Sequence, residues 1–240
     1  MSMNFTAANL DYINVGQPSV LNLLPQGTEY TLSAWVKTAT NVDYGTIICR
    51  GNATTKQYHL SIGSPGPPYE IQAQIGGTFY TTGVDVGDGL WHHVALRNYN
   101  DSGTYRFQMY SDGTAAGSAT ASGASTVVTD TLIGARRATL NTGSGFLLTG
   151  SLSDIRVYNR LLAVTEISTI YATRGKDFIM NGLVGRWLLN EREPGIVASG
   201  SGIVKDSSSE GNHGTPSGTS PTYDSDRLTF VRHENVSIRG

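Results

Sequence analysis

The chain has one cysteine in 240 residues. That lone thiol, Cys49, excludes an intrachain disulfide and a thiolate metal cluster. It stands in Gly45-Thr-Ile-Ile-Cys-Arg, an apolar setting that reads as a small buried hydrophobe with no partner for nucleophilic work. Charge is scarce as well. Charged residues make up 15% and the formal net charge is −2, which leaves no basic footprint for nucleic acid. No apolar run is long enough to cross a bilayer, so membrane insertion is not expected. The opening residues MSMNFTAANLDYINVG carry neither a basic n-region nor an apolar h-region, so no signal peptide is visible. Long 3.6-residue periodicity is nearly missing, and with it a helical architecture.

What the chain has instead is turns and short strands. Its 29 glycines punctuate blocks of Val, Ile, Thr and Tyr. In Thr31-Leu-Ser-Ala-Trp-Val-Lys, residues Leu32, Ala34 and Val36 share one face. In Tyr69-Glu-Ile-Gln-Ala-Gln-Ile, residues Ile71 and Ala73 face one way, and Gln72 and Gln74 the other. Tyr105, Phe107 and Met109 form a third such set, followed by the hairpin signal Asp112-Gly113. Half-polar strands of this kind predict antiparallel sheets packed on one side, closed as a two-sheet sandwich. One short helix is predicted over Leu162–Tyr171, with Leu162, Ile167, Ile170 and Tyr171 on its apolar stripe. Residues 196–220 look like a linker by composition, yet Trp187 with Leu183, Val184, Leu188 and Leu189 is too apolar to be left in water.

Several segments carry a resemblance. YTLSAWVKT (Tyr30–Thr38), YGTIICRG (Tyr44–Gly51), DGLWHHVALR (Asp88–Arg97) and LTGSLSDIRVYNRLL (Leu148–Leu162) resemble the middle and last strands of laminin-G-like, concanavalin A-like jelly rolls. GLVGRWLLNE (Gly182–Glu191) and KDSSSEGNHGTPSG (Lys205–Gly218) resemble that family's opening strand and loop, but lie at the C-terminal end. The resemblance implies an all-β, two-sheet antiparallel jelly-roll sandwich with one short helix. It also implies a single permuted domain over 1–240, with a core over 1–175 completed by 182–240. A tail completing a neighbour's domain, and hence a homo-oligomer, is the variant of that reading.

Chemistry was sought residue by residue. Glycoside hydrolysis needs two carboxylates held about 5–10 Å apart, and no Glu-x-Asp-x-x-Glu strand occurs; Glu191 and Glu193 flank a loop at Pro194. His92 and His93 are neighbours on a strand and point to opposite faces, which argues against shared chelation. No G-x-S-x-G elbow precedes a helix. The expectation is therefore no enzyme. The resemblance implies calcium as cofactor, with Asp154, Asp206 and Asn212 as ligands; Asp206 reads equally as a turn-capping residue. It also implies a lectin-like surface module that binds glycans, with His59, Gln72, Gln74 and Tyr80 as sugar contacts on a polar sheet face. The competing expectation is a structural part of a phage capsid or tail that binds no glycan. Either would stand outside a cell or on a virion surface.

Overall fold

The computed structural model describes residues 1–23, 29–39, 44–52, 56–63, 68–75, 78–120, 129–137, 145–219 and 221–225. The strands are β1 (Ser2–Phe5), β2 (Tyr12–Gly16), β3 (Tyr30–Lys37), β4 (Gly45–Gly51), β5 (Lys56–Ile62), β6 (Glu70–Ile75), β7 (Thr78–Asp85), β8 (Trp91–Asp101), β9 (Thr104–Ser111), β10 (Thr114–Thr120), β11 (Thr131–Ile133) and β12 (Gly150–Tyr158). Helix α1 (Val164–Thr173) follows, then β13 (Leu183–Trp187), β14 (Thr215–Ser217) and β15 (Thr222–Asp224). One sheet runs β10-β9-β8-β3-β12-β1-β15, with β13 also on β12; the other runs β14-β2-β11-β4-β5-β6-β7. All described pairings are antiparallel. The inward residues interdigitate in one core that includes Phe5, Leu32, Val36, Ile48, Leu60 and Phe107.

The alternation seen in the sequence places this core. Leu32, Ala34 and Val36 of β3 face inward, as do Ile71 and Ala73 of β6. The opposite faces depart from the expectation. β3 is buried along nearly its whole length, because α1 lies on the outer face of its sheet and stacks Tyr171 on Trp35 with ring centroids 5.8 Å apart. The helix begins two residues later than its pattern predicts. Leu162 precedes it and is buried with Ile167 and Ile170 in the cluster beneath. Glu166 accepts the Ala163 N–H (2.7 Å) and pairs with Arg160 (2.6 Å), which tethers the first turn.

The C-terminal residues are woven into both sheets. β1 pairs with Gly150–Leu152 of β12, and β13 pairs with Ile155–Tyr158 of the same strand edge. Between them the strand carries one extra residue against β3, and Asp154 sits there with φ +47°. β14 pairs with β2 and β15 with β1. Trp187, Leu189, Val204 and Tyr223 are all core residues. Burying one such side chain is worth about 1.5–3 kcal/mol, so this stretch is structural despite its linker-like composition.

Candidate functional site

The outer face of the seven-stranded sheet differs sharply from its centre to one edge. At the centre, register places Cys49 opposite His59, Ser61 opposite Gln72, and Gln74 opposite Phe79. Residues paired in this way share a face. His59, Gln72 and Gln74 are thus brought together, as the sequence suggested, but they are only 0%, 3% and 2% exposed. Two of them hydrogen-bond to the protein: His59 Nε2 lies 3.0 Å from Thr46 Oγ1, and Gln72 Nε2 donates to the Gly63 carbonyl. Phe79 packs against His59, Tyr44 stacks on Phe79 (5.2 Å), and Phe146 lies 4.7 Å from Tyr44 with Arg136 over its ring. Burial, helped by the nearby cations Lys56 and Arg136, holds His59 well below the usual histidine range. Burial also lowers Lys56 to about 8 and pushes the Cys49 thiol up to about 12. Tyr80 is on the other face. It pairs with Ala73 and packs edge-on against core Phe107 at 4.6 Å. Three of the four expected sugar contacts are therefore buried, and the fourth, the partly exposed Tyr80, lies on the core-facing side of its strand.

The edge of the same sheet is open. In Asp11-Tyr-Ile-Asn-Val-Gly, Ile13 and Val15 enter the core, so Tyr12 and Asn14 face out. β14 sets Ser217 opposite Tyr12 and Thr215 opposite Asn14. A groove of about 390 Å³ is lined by Tyr12, Asn14, His213, Thr215 and Ser217. A second, of about 350 Å³, adjoins it at Tyr12 and Ser217 and includes Asn9, Leu10 and Arg137. Asn14 is held in place: its Oδ1 accepts the Gly16 N–H (2.7 Å) and its Nδ2 donates to Asp130 (3.2 Å). Asp130 also accepts from Gln17 (3.0 Å) and Arg137. Burial alone would raise this carboxyl, but those donors hold it below the usual carboxylate range. The arrangement offers an aromatic face flanked by fixed amide, hydroxyl and guanidinium groups. The alternation of Tyr12 and Asn14 signalled this face in sequence, but their partner strand β14 lies about two hundred residues away.

The expected calcium ligands do not fit a cation as placed. Asp206 Oδ1 accepts the Arg186 and Ser208 N–H groups (2.8 and 2.9 Å), and its Oδ2 accepts Ser208 Oγ and the Asn212 N–H (both 2.8 Å). Asn212 donates to the Val184 carbonyl, and its own carbonyl accepts Trp187 Nε1. Asp154 lies apart from this loop and binds Arg156 (2.6 Å) and Arg186 (2.7 Å). Calcium takes six to eight oxygens, whereas the carboxylate oxygens of Asp154 and Asp206 already accept from N–H and O–H donors. Among the described residues no group of three or more His, Cys, Asp or Glu is placed to hold a metal. His92 and His93 diverge as adjacent strand residues must. His93 is buried against Trp35 with Nε2 2.9 Å from Ser33 Oγ, while His92 bridges Asp88 (3.0 Å) and Asp112 (2.8 Å). Glu191 accepts the Lys205 N–H.

Comparison with curated protein sequences returns no match. Solved structures do match. A protein from Bacteroides ovatus ATCC 8483, provisionally named a carbohydrate-binding protein, superposes with a TM-score of 0.69 at 21% identity over 95% of this chain. The chain spans 61% of that protein's length. A heptameric SAP-like pentraxin from Limulus polyphemus superposes with a TM-score of 0.57 at 17% identity, over 73% of this chain and 83% of its own. The sequence model of the concanavalin A-like lectin/glucanases superfamily, in its laminin-G form, matches residues 8–168. With its two antiparallel sheets and, among the described residues, one short α-helix, the chain belongs to the concanavalin A-like lectin/glucanase superfamily.

Proposed function

We propose that this chain is a non-enzymatic, lectin-like module that binds carbohydrate in the groove between β2 and β14, on the outside of a cell or virus particle. The observation that carries the reading is Tyr12, half-buried and open to the groove, with Asn14, Thr215, Ser217 and Arg137 converging beside its ring. A pyranose offers an apolar C–H face and a rim of hydroxyls, which such a combination matches. The likeness to a protein named for carbohydrate binding supports the same class. Neither groove has a carboxylate in its lining, and glycoside hydrolysis needs two. The test is a glycan array followed by calorimetry on the wild type and Tyr12→Ala. Specific binding that Tyr12→Ala abolishes, with an unchanged melting temperature, is the expected result. Binding that survives the substitution would move the site elsewhere. No binding to any glycan would favour a structural part of a particle surface.

A further inference from the structure

A second surface, which lines neither the first groove nor the one adjoining it, holds an aromatic ring in water. Phe178 is 93% exposed, yet the turn that carries it is fastened on every side. Asp177, just before it, receives both Nη groups of the fully buried Arg156 (2.8 and 2.9 Å). Just after it, the Ile179 carbonyl accepts Tyr158 Oη (3.0 Å). Arg186 holds the Gly175 carbonyl (2.7 Å), Arg160 the Asn181 carbonyl (2.7 Å), and the Leu183 N–H the Met180 carbonyl (3.1 Å). A buried ion network of this kind contributes little net stability compared with apolar packing, and its attested use is to fix one conformation. What it fixes here is a turn with a bare phenyl ring at its apex. An aromatic held rigid before binding loses little entropy when it docks, which is the character of an interface anchor.

The same chain carries a receptacle. Past the far end of β13, a groove of about 340 Å³ is lined by Arg192, Glu193, Ile196, Val197, Ser199 and Ile203. Ile196 and Val197 are 49% and 46% exposed. This loop is fastened too, by Gly195 N–H to the Tyr223 carbonyl (2.8 Å) and Ala198 N–H to the Pro221 carbonyl (2.7 Å). The turn precedes β13 and the groove follows it. That extended five-residue strand, rising about 3.3 Å per residue, stands between them in the chain.

We infer that Phe178 of one copy enters the Ile196–Val197–Ile203 groove of a second copy in a head-to-tail contact. The chemistry is complementary: the ring meets apolar walls, exposed Lys176 beside it faces Glu193 on the rim, and Arg192 supplies a guanidinium for the ring's face. Because ring and receptacle are different patches, the contact is heterologous. It propagates into a closed ring or an open filament. Phe178 and the nearby Met180, 48% exposed, are too small a wedge for stable anchoring to a lipid surface, which takes more than one modest apolar insertion.

Sedimentation velocity over a concentration series of the full chain tests this. Wild type should associate, and Phe178→Ser should weaken that association by about tenfold or more. Ile196→Ser/Val197→Ser should do the same. Both variants change exposed side chains and should keep the wild-type melting curve. Mixed together, they retain one intact ring and one intact groove, so the pair should form a dimer and stop there. A wild type that stays monomeric overturns the inference. So does association indifferent to Phe178, or a mixture that fails to dimerise.

Discussion

The centre and the edge of one sheet face are built from the same pattern and end differently. Gln72 and Gln74 alternate with Ile71 and Ala73 just as Tyr12 and Asn14 alternate with Ile13 and Val15, and both polar sets face away from the core. At the centre, Tyr44, Phe79 and Phe146 lie over the face, and His59 and Gln72 each make a hydrogen bond to the protein. At the edge, the neighbour is the three-residue β14, and the groove stays open. Strand alternation fixes which way a side chain points. Whether water is there is decided by what packs on top.

The most severe way to break this contrast is to remove the strand that makes the edge. β14 arrives through a tail anchored by Trp187, Val204 and Tyr223. Ending the chain after Lys176 should leave no cooperative unfolding transition, and Trp187→Ala alone should cost about 3–5 kcal/mol by chemical denaturation. A truncated chain that melts like the full one would make the tail an appendage and the edge groove accidental.

Acid separates covered from open positions next. His59 is held well below the usual range, and burial, with the Arg156 guanidinium adding, lowers His93 to about 4. Their folded values lie below the unfolded value of about 6.5, so the unfolded chain takes up protons first as pH falls. The stability they contribute is complete above about pH 6.5 and is lost as pH falls below it, for His93 progressively toward about pH 4. For His93 the loss reaches roughly 3 kcal/mol, at about 1.4 kcal/mol per pH unit. His93→Gln should flatten the fall in melting temperature between pH 6.5 and 4.5. His92 works in a separate window. Burial disfavours its charge, but hydrogen bonds to Asp112 and Asp88 raise it overall, so its contribution is complete below about pH 6.5 and fades as pH rises through the raised value.

A paired substitution sharpens the contrast on function. Tyr12→Ala should weaken glycan binding by about tenfold or more, worth about 1.4 kcal/mol, at little cost in stability. Gln72→Ala should do the reverse, because its amide bonds inward and touches no groove. Equal effects of the two on binding would erase the distinction. Smaller still is Ser61→Ala: its hydroxyl is buried at the centre without a hydrogen-bond partner among the described residues, so its removal should leave stability unchanged or raise it by about 0.5–1 kcal/mol. The smallest expected effect is none. A chelator should leave the melting temperature unmoved, since the Asp206 loop is closed by its own N–H and O–H groups.

Much of the fold was legible because alternation is local. Leu32, Ala34 and Val36 announce a core face within seven residues, and Leu162, Ile167 and Ile170 announce the helix whose packing buries them. The membership of Trp187 in the core could also be read, since no solvated tail keeps such a cluster. The candidate site was only half legible. Tyr12 and Asn14 stand in a plain outward-facing pattern, but Thr215 and Ser217 join them by a pairing across nearly the whole chain. Tyr80 turns toward the core for a local reason: its neighbour Phe79 takes the outward position in the Gln74 pairing.

The amino-acid sequence by itself determined the two-residue and 3.6-residue periods, and with them the all-β sandwich, its inward residues and its single helix, because periodicity acts between neighbours in the chain. Tertiary structure alone decided that Gln72 and His59 are covered while Tyr12 is open, that Asp154 and Asp206 are committed to arginines and backbone amides, and that Phe178 is held out in water. Those outcomes depend on which distant segments arrive on top of a face, and desolvation and pairing are set by that arrival.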